Sequence, residues 1–496
     1  MTVAVESKGH PKGLAVLFAT EMWERFSYYG MRAILILFMT TPAAQEGLGL
    51  TTATAGAVYG IYTAGVYLLT LPGGWLADNF LGQRKAVWYG GICIMIGHLI
   101  LAIPGSPGVF FMGLAFVAIG TGLLKPNIST IVGDLYPEGG ARRDAGFSIF
   151  YMGINLGSFI GQLVVPIVAT YNWHLGFGVA AIGMLFGLIQ FRLRQDRLGE
   201  IGITPKAKEE LATNELPSTG NKSLGILFAV ALIALIAILQ FANVIDVTTA
   251  TGIAQSVGIV IVSVTLSYFA YILIAGGLTG DEKKRVGVIF LLFIGAAIFW
   301  SGFEQAGSSL SLFARDYTDR FLFGWEIPAG SVQSINPLMI IIFAPIVGAL
   351  WLRLAARNLN PSAPLKFAFG LILVGVGFLA MVFAAQIATQ GGKAGLFWLV
   401  LTYFLHSIGE LTLSPVGLSA TTKLAPKRYV GQLMGIWFVA TSLGNLIAGL
   451  YAGNFDPSNV QQMPSLFMSV VMVTVGAGLV FLVISPFVKK WTGSAK

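Results

Sequence analysis

The sequence predicts an all-α polytopic membrane protein with fourteen transmembrane helices, arranged as two six-helix bundles with a helical hairpin inserted between them. Of its 496 residues, 55% are hydrophobic and only 10% charged, against about 25% charged in an average soluble domain. Mean hydropathy is +0.78, and apolar stretches of the length that crosses a bilayer, about 20 residues at 1.5 Å rise per residue, recur along the chain. Glycine, at 62 residues, stands well above its usual share of about 7%. These observations exclude an ordinary soluble enzyme. The one cysteine, Cys93, offers neither a disulfide nor a CxxC metal pair, so redox and structural-zinc chemistry have no support, and no cofactor is expected. No cleavable-signal pattern precedes the first long segment.

In order, the spans are expected at 14–40, 54–76, 86–103, 109–132, 145–168, 173–191, 224–245, 255–279, 286–313, 334–352, 366–387, 394–420, 430–451 and 464–487. Mostly short connections remain, with no room for a soluble catalytic domain. With these edges the basic clusters alternate cleanly. Lys8 with Lys12, Arg84 with Lys85, Arg142 with Arg143, the run from Arg192 to Lys222, Lys283 to Arg285, Arg353 with Arg357 and Lys366, Lys423 to Arg428, and Lys489 to Lys496 fall on one side. Only Arg315, Arg320 and Lys393 fall on the other. The positive-inside rule then places both termini in the cytoplasm. The formal charge of +8 reflects contact with anionic inner-leaflet lipid and not with nucleic acid.

The longest polar connection separates the first six spans from the next eight. The expected divisions are an N-terminal six-helix bundle at 14–191, a cytoplasmic linker at 192–223, an inserted hairpin at 224–279 and a C-terminal six-helix bundle at 286–487. Two parallel halves of this kind fit a large secondary-transporter architecture. GGWLADNFLGQRK at 73–85 lies where span two meets span three, and it resembles the G-x-L-A-D loop signature of the major facilitator superfamily, with one extra residue before Gly82. A tight basic turn of no special kind is the alternative reading.

The costly charges are inside the spans. Glu21, Arg25, Tyr28 and Arg32 follow steps of four, three and four along one face of the first helix, with Glu24 and Tyr29 beside it. In lipid such a row costs several kcal/mol per charge, so it faces protein or a water-filled cavity; a buried structural ion-pair network is the other reading. Lys125, Glu304 and Glu410 each stand as an isolated ionisable group in a further span. Arg32 with Glu304 and Lys125 with Glu410 are the opposite-charge pairs available between the halves. Burial and a neighbouring cation act oppositely on a carboxylate's proton affinity, so a change of partner moves a proton. Arginine suits a carboxylate through its bidentate fork, and a buried glutamate suits an ammonium, so basic groups from one half and an acidic group from the other fit a zwitterion. Asn155 and Asn336 carry both donor and acceptor, as a peptide bond requires and as interhelical bonding equally requires. Tyr29, Tyr67, Trp300, Phe303 and Trp437 can line a tolerant cavity, although singly each fits core packing first. His98 and His406 read foremost as hydrogen-bonded interhelical histidines, Asp246 as a cap or interfacial charge, and Pro126, Pro166, Pro337, Pro345 and Pro415 as bends.

Together these motifs resemble the proton-dependent oligopeptide transporter family over nearly the whole chain. The helix-one signature is E-M-W-E-R at 21–25 with Y-Y-G at 28–30; F-Y-M-G-I-N-L-G-S stands at 150–158, F-E-Q at 303–305, Q-S-x-N-P at 333–337 and G-E at 409–410. The central helix pair is similar to that of bacterial members. The resemblance implies proton-driven import of di- and tripeptides by alternating access, in the bacterial inner membrane, with the proton as coupling ion and no obligatory protein partner. It implies that Glu21, Glu24 and Arg25 couple protons with Lys125, joined by Glu304 and Glu410. Arg32 and Lys125 would hold the peptide C-terminus and Glu410 its ammonium, while Asn155 and Asn336 bind its backbone. Tyr29 and Tyr67 would add polar contacts, and Trp300 and Trp437 shape side-chain pockets. Arg32–Glu304 resembles an outer gate, and Lys125–Glu410 contributes to inner closure. Animal members use a helix-two histidine, but residues 54–76 contain none, which leaves coupling to carboxylates. The intact E-x-x-E-R and Glu410 argue against the nitrate transport of plant relatives. Transport of another small zwitterion, an amino acid or a peptide-like drug, with or without protons, is the nearer alternative. No nucleophile, base and metal constellation points to an enzyme.

Overall fold

The computed structural model describes residues 9–205 and 222–491. Lys8, the linker segment 206–221 with Lys206 and Lys208, and Lys496 lie outside the described residues.

The helices are α1 (Lys12–Thr40), α2 (Thr52–Leu68), α3 (Thr70–Leu76), α4 (Gln83–Leu101), α5 (Pro107–Asp134), α6 (Gly140–Ala169), α7 (Trp173–Arg194), α8 (Lys222–Phe241), α9 (Ala250–Ile274), α10 (Gly280–Phe303), α11 (Ser309–Tyr317), α12 (Ile335–Ala356), α13 (Ala363–Thr389), α14 (Phe397–Leu424), α15 (Val430–Ala452) and α16 (Met463–Trp491). Among the described residues, eleven helical stretches are long and apolar enough to cross a membrane, and each coincides with an expected span. The other three expected spans are α1, α4 and α8. The 29-residue α1 carries Glu21, Glu24, Arg25 and Arg32, which break any uninterrupted apolar window, and the 19-residue α4 starts on Arg84 and Lys85. The fourteen-span, all-α architecture is therefore the one expected from sequence.

Helix starts follow local chemistry. Asn172 accepts from the amides of His174 and Leu175 at 2.9 and 3.1 Å to cap α7. Thr279 and Glu282 close a capping box on α10, and Pro107 opens α5 at a position where its missing N–H costs no bond.

Two spans expected to be continuous are broken. Span two divides at Leu69 because Pro72 cannot donate to the carbonyl of Leu68 four residues earlier and its ring crowds that oxygen. A π-helical turn, Ala77–Leu81, then leads to Gly82, whose φ of 77° lies in the left-handed region. Span nine breaks into α10, a 3-10 turn at Glu304–Gly307 and α11; Gly302 and Gly307 lie at the two sides of the break, and glycine costs about 1 kcal/mol relative to alanine in a helix interior. Pro337 is not a bend: it occupies the first turn of α12, where its absent N–H has no intrahelical partner to lose. Pro126, Pro166, Pro345 and Pro415 do lie inside helices. Four two-residue strands were not foreseen: β1 (Thr318–Asp319) pairs in parallel with β4 (Ala394–Gly395), and β2 (Phe321–Leu322) pairs antiparallel with β3 (Trp325–Glu326).

The described residues of Met1–Ile34 and Leu69–Pro217 form one compact unit, and those of Leu35–Leu68 and Ser218–Lys496 another. In the first, α6 presents Gly153, Gly157 and Gly161 to α1. A Cβ on Gly157 would collide with the backbone oxygen of Met22, one on Gly161 with that of Phe26, and one on Gly153 would stand 2.9 Å from the Phe18 ring. This small-xxx-small stripe lets backbone rest on backbone. At one end of the unit, Arg84 does not simply face lipid. Its Nε donates to the Ile201 carbonyl at 2.6 Å, its guanidinium also bonds the Gly199 carbonyl, and its amide donates to Gly202 at 2.9 Å, anchoring the start of the linker. In the second unit, α2 sets Gly56 and Gly60 against Gly449 of α15, and Ser442 donates to the Ala64 carbonyl at 3.0 Å.

Candidate functional site

The first unit holds a closed charge cluster on α1. Glu21, Glu24, Arg25 and Arg32 are all buried, Glu24 with no exposed surface at all. The steps that put Glu21 and Arg25 on one face bring the Arg25 Nε to 2.8 Å from Glu21 Oε1, and the adjacent Glu24 Oε2 lies 2.6 Å from the same Nε. The Arg25 guanidinium sits 5.6 and 6.0 Å from the Tyr28 and Tyr29 ring centres, and that of Arg32 5.7 Å from Tyr29. These are cation–π distances. Half-buried Lys125, on α5 beside Pro126, acts electrostatically on Glu24. Two carboxylates, Glu21 and Glu24, thus stand against Arg25 and Lys125 within one unit, with Arg32 two turns beyond Arg25.

Asn155 lies on α6 between two glycines of the stripe. Its amide donates to the Tyr151 carbonyl of its own helix at 2.9 Å, so here it makes a local helix bond. His98, fully buried, bonds Ser27 of α1 at 3.0 Å through Nε2, the interhelical role expected of it.

The second unit builds a different cluster. Glu410, on α14, is half-buried. The Asn336 amide, at the start of α12, donates to Glu410 Oε2 at 3.4 Å and to Ser407 Oγ at 2.9 Å, while the Ser407 hydroxyl donates to the Tyr403 carbonyl at 2.7 Å. Ser407 was not singled out from the sequence, although its place three residues before Glu410 in H-S-I-G-E puts both on one helical face. Glu304, buried in the 3-10 turn, acts electrostatically on Glu410. The Ser309 hydroxyl donates to Gln305 at 2.7 Å and the Gln333 amide to Ser311 at 2.8 Å, which ties the broken segment to the turn ahead of α12. His406 turns away from Glu410: its Nε2 lies 3.2 Å from the Val374 carbonyl and its ring 5.2 Å from that of Phe378.

Trp300 packs edge-on against Phe299 and Phe303 at 5.3 and 5.2 Å, over Gly444. Trp437 stands 6.2 Å from Phe367 over Gly417. Both indoles are over nine-tenths buried, and the half-buried Tyr67 lies on α2 of the same unit. Among the described residues, no group of three or more His, Cys, Asp or Glu is placed to hold a metal ion. Asp246 ends in an exposed turn, where it accepts from the Thr248 hydroxyl and amide at 2.7 and 3.0 Å. Those bonds hold its carboxyl below the usual range.

An all-α polytopic chain with ion pairs and hydrogen-bonded carboxylates inside its spans defines a secondary transporter. The model of the POT family matches residues 84–466. The chain is 44% identical over 490 residues to "Peptide transporter YePEPT" of Yersinia enterocolitica, covering 96% of this chain and 94% of that one. It is 40% identical over 453 residues to a "Di-/tripeptide transporter" of Lactococcus lactis, covering 88% of each. A POT family transporter solved in complex with 5-aminolevulinic acid superposes with a TM-score of 0.82 at 34% identity, covering 97% of both chains. This chain belongs to the POT family. It has the major facilitator superfamily fold, is a multi-pass bacterial inner-membrane protein, and is a transporter and not an enzyme.

Proposed function

We propose that this protein is a proton-coupled symporter that imports di- and tripeptides by alternating access. The observation that carries the reading is the contrast between the two clusters. Carboxylates are paired with a guanidinium in the first unit, whereas in the second a carboxylate is held by a neutral amide and is suited to an incoming ammonium. Arg32 and Lys125 hold the peptide carboxylate, Glu410 its ammonium, and Asn155 and Asn336 its backbone. Tyr29 and Tyr67 add polar contacts, with Trp300 and Trp437 shaping the side-chain pockets.

Lys125 is shared. When the peptide carboxylate takes it, Glu24 balances the lost cation with a proton, within a network of Glu21, Arg25, Glu304 and Glu410. Arg32 with Glu304 closes the outer side and Lys125 with Glu410 the inner. The moving bodies are six-helix bundles at 14–191 and 286–487, joined by the linker at 192–223 and the hairpin at 224–279, with both termini in the cytoplasm. The partners are peptide, proton and lipid. Uptake of a dipeptide into proteoliposomes, with and without an inward proton gradient, tests this: accumulation above equilibrium is expected with the gradient, and its absence would sink symport. A second reading, transport of another small zwitterion, is favoured by the relative solved with 5-aminolevulinic acid and is tested by letting that compound compete in the same assay.

A further inference from the structure

One end of the second unit carries a recess that the proposed transport site does not use. It lies between the turn from α9 into α10, at Gly277–Arg285, and the connection from α14 to α15, at Thr422–Val430, and it has a volume of about 760 Å³. Arg285, Lys423, Lys427 and Arg428 line it against one carboxylate, Glu282. That carboxylate is already committed. It accepts from the Thr279 amide and hydroxyl at 2.9 and 3.1 Å, and Arg428 stands 3.8 Å away.

Arg428 is committed too, donating to the Gly277 carbonyl and lying 5.3 Å over Tyr429. Arg285 acts electrostatically on Glu282 as well, whereas Lys423 and Lys427 make no ion pair among the described residues, which leaves two uncompensated cations in a concavity lined by four. The positive-inside rule needs cations on a face but not a recess to hold them. Beside it, the last turns of α9 expose Tyr271 and Ile274, Ile274 by 83% and two residues before Gly276. The Tyr429 hydroxyl donates to the Gly276 carbonyl at 3.1 Å and the Tyr268 hydroxyl to Gln432 at 2.9 Å, so the seam between α9 and the α14–α15 connection is tied. A cationic hollow continuous with an exposed apolar strip fits an amphipathic anion better than a free one.

We infer that this recess binds the phosphate headgroup of an anionic phospholipid, whose acyl chains lie along the Tyr271 and Ile274 strip. In the orientation proposed above the headgroup belongs to the cytoplasmic leaflet. Bound there, the lipid bridges the inserted hairpin and the α14–α15 connection.

Native mass spectrometry of the delipidated full chain, with phosphatidylglycerol or phosphatidylcholine of equal chain length, tests the site. The parent retains phosphatidylglycerol preferentially, and Lys423→Gln with Lys427→Gln reduces that retention about thirtyfold. Lys423→Arg with Lys427→Arg keeps it. Equal retention by the parent and the charge-removed variant overturns the site. Displacement of phosphatidylglycerol by millimolar glycerophosphate overturns the lipid assignment in favour of a soluble phosphate. Arg285→Gln, which removes a different cation of the recess, is read in the same assay, so a double variant that fails to fold still leaves a decisive measurement.

Discussion

The charge cluster on α1 and the carboxylate on α14 solve the problem of a charge inside a membrane span in opposite ways. On α1, Glu21 and Glu24 share the Arg25 Nε within 2.8 Å, so the charge is compensated inside one rigid body. On α14, Glu410 accepts from Asn336, and among the described residues of its unit no cation pairs with it. A self-compensated cluster suits a group that exchanges protons repeatedly, and a neutral cradle suits one that receives its counter-charge from outside. The difference places the protonating Glu24 in the first unit and ammonium recognition in the second, under the mechanism proposed above.

The strongest test of that contrast is a pair of charge removals. Glu410→Gln is expected to lower dipeptide affinity at least about thirtyfold, since truncating one partner of a buried charge pair costs about 2–5 kcal/mol, and to abolish exchange and accumulation alike. Glu24→Gln is expected to abolish gradient-driven accumulation while leaving counterflow exchange. Both are read in proteoliposomes, and unchanged affinity and pH dependence in Glu410→Gln would remove its role.

Packing separates the units next. Gly157→Ala drives a Cβ into the Met22 carbonyl and should destabilise the protein by about 1–3 kcal/mol. Gly348→Ala on α12, where a Cβ meets nothing within 4 Å, should be neutral or stabilising by up to about 1 kcal/mol. Thermal midpoints of the purified variants compare them, and similar losses at the two positions would contradict the stripe.

A smaller effect tests the cradle itself. Ser407→Ala removes the hydroxyl that holds Asn336, a bond worth about 1 kcal/mol, and should raise KM about fivefold with kcat unchanged. The smallest effect is expected outside both clusters. The bonds from Thr248 lower the folded pKa of Asp246, so their contribution is present above the ordinary Asp value of about 3.9 and is lost as pH falls through the lowered one. Asp246→Ala should therefore lower the thermal midpoint slightly at pH 7 and match the parent at acidic pH once both states are protonated.

The span pattern and the costly charges were legible because lipid makes both expensive to arrange otherwise: an E-x-x-E-R face or a lone Glu410 in an apolar run has few physical explanations. The break before α3 carries a local signal in Pro72, yet the apolar run continues through it and hides it. The 3-10 turn at Glu304 is less legible, since flanking glycines are common in membrane helices. Ser407 became part of the site only through Asn336, 71 residues away. The grouping of α2 with the second unit depends on Gly56 and Gly60 meeting Gly449, and no local pattern encodes that partner. The two-residue strands are too short for any periodicity.

The glycine stripe also has a mechanical consequence. At Gly157 and Gly161 backbone rests on backbone, with no side chain between α1 and α6 there, so at those two points the pair meets as a stiff strut and not as two rods in a soft sleeve. Glu21, Glu24 and Arg25 are mounted on one rod and Asn155 on the other, between Gly153 and Gly157. The close backbone contacts therefore fix the spacing between the carboxylates and the amide.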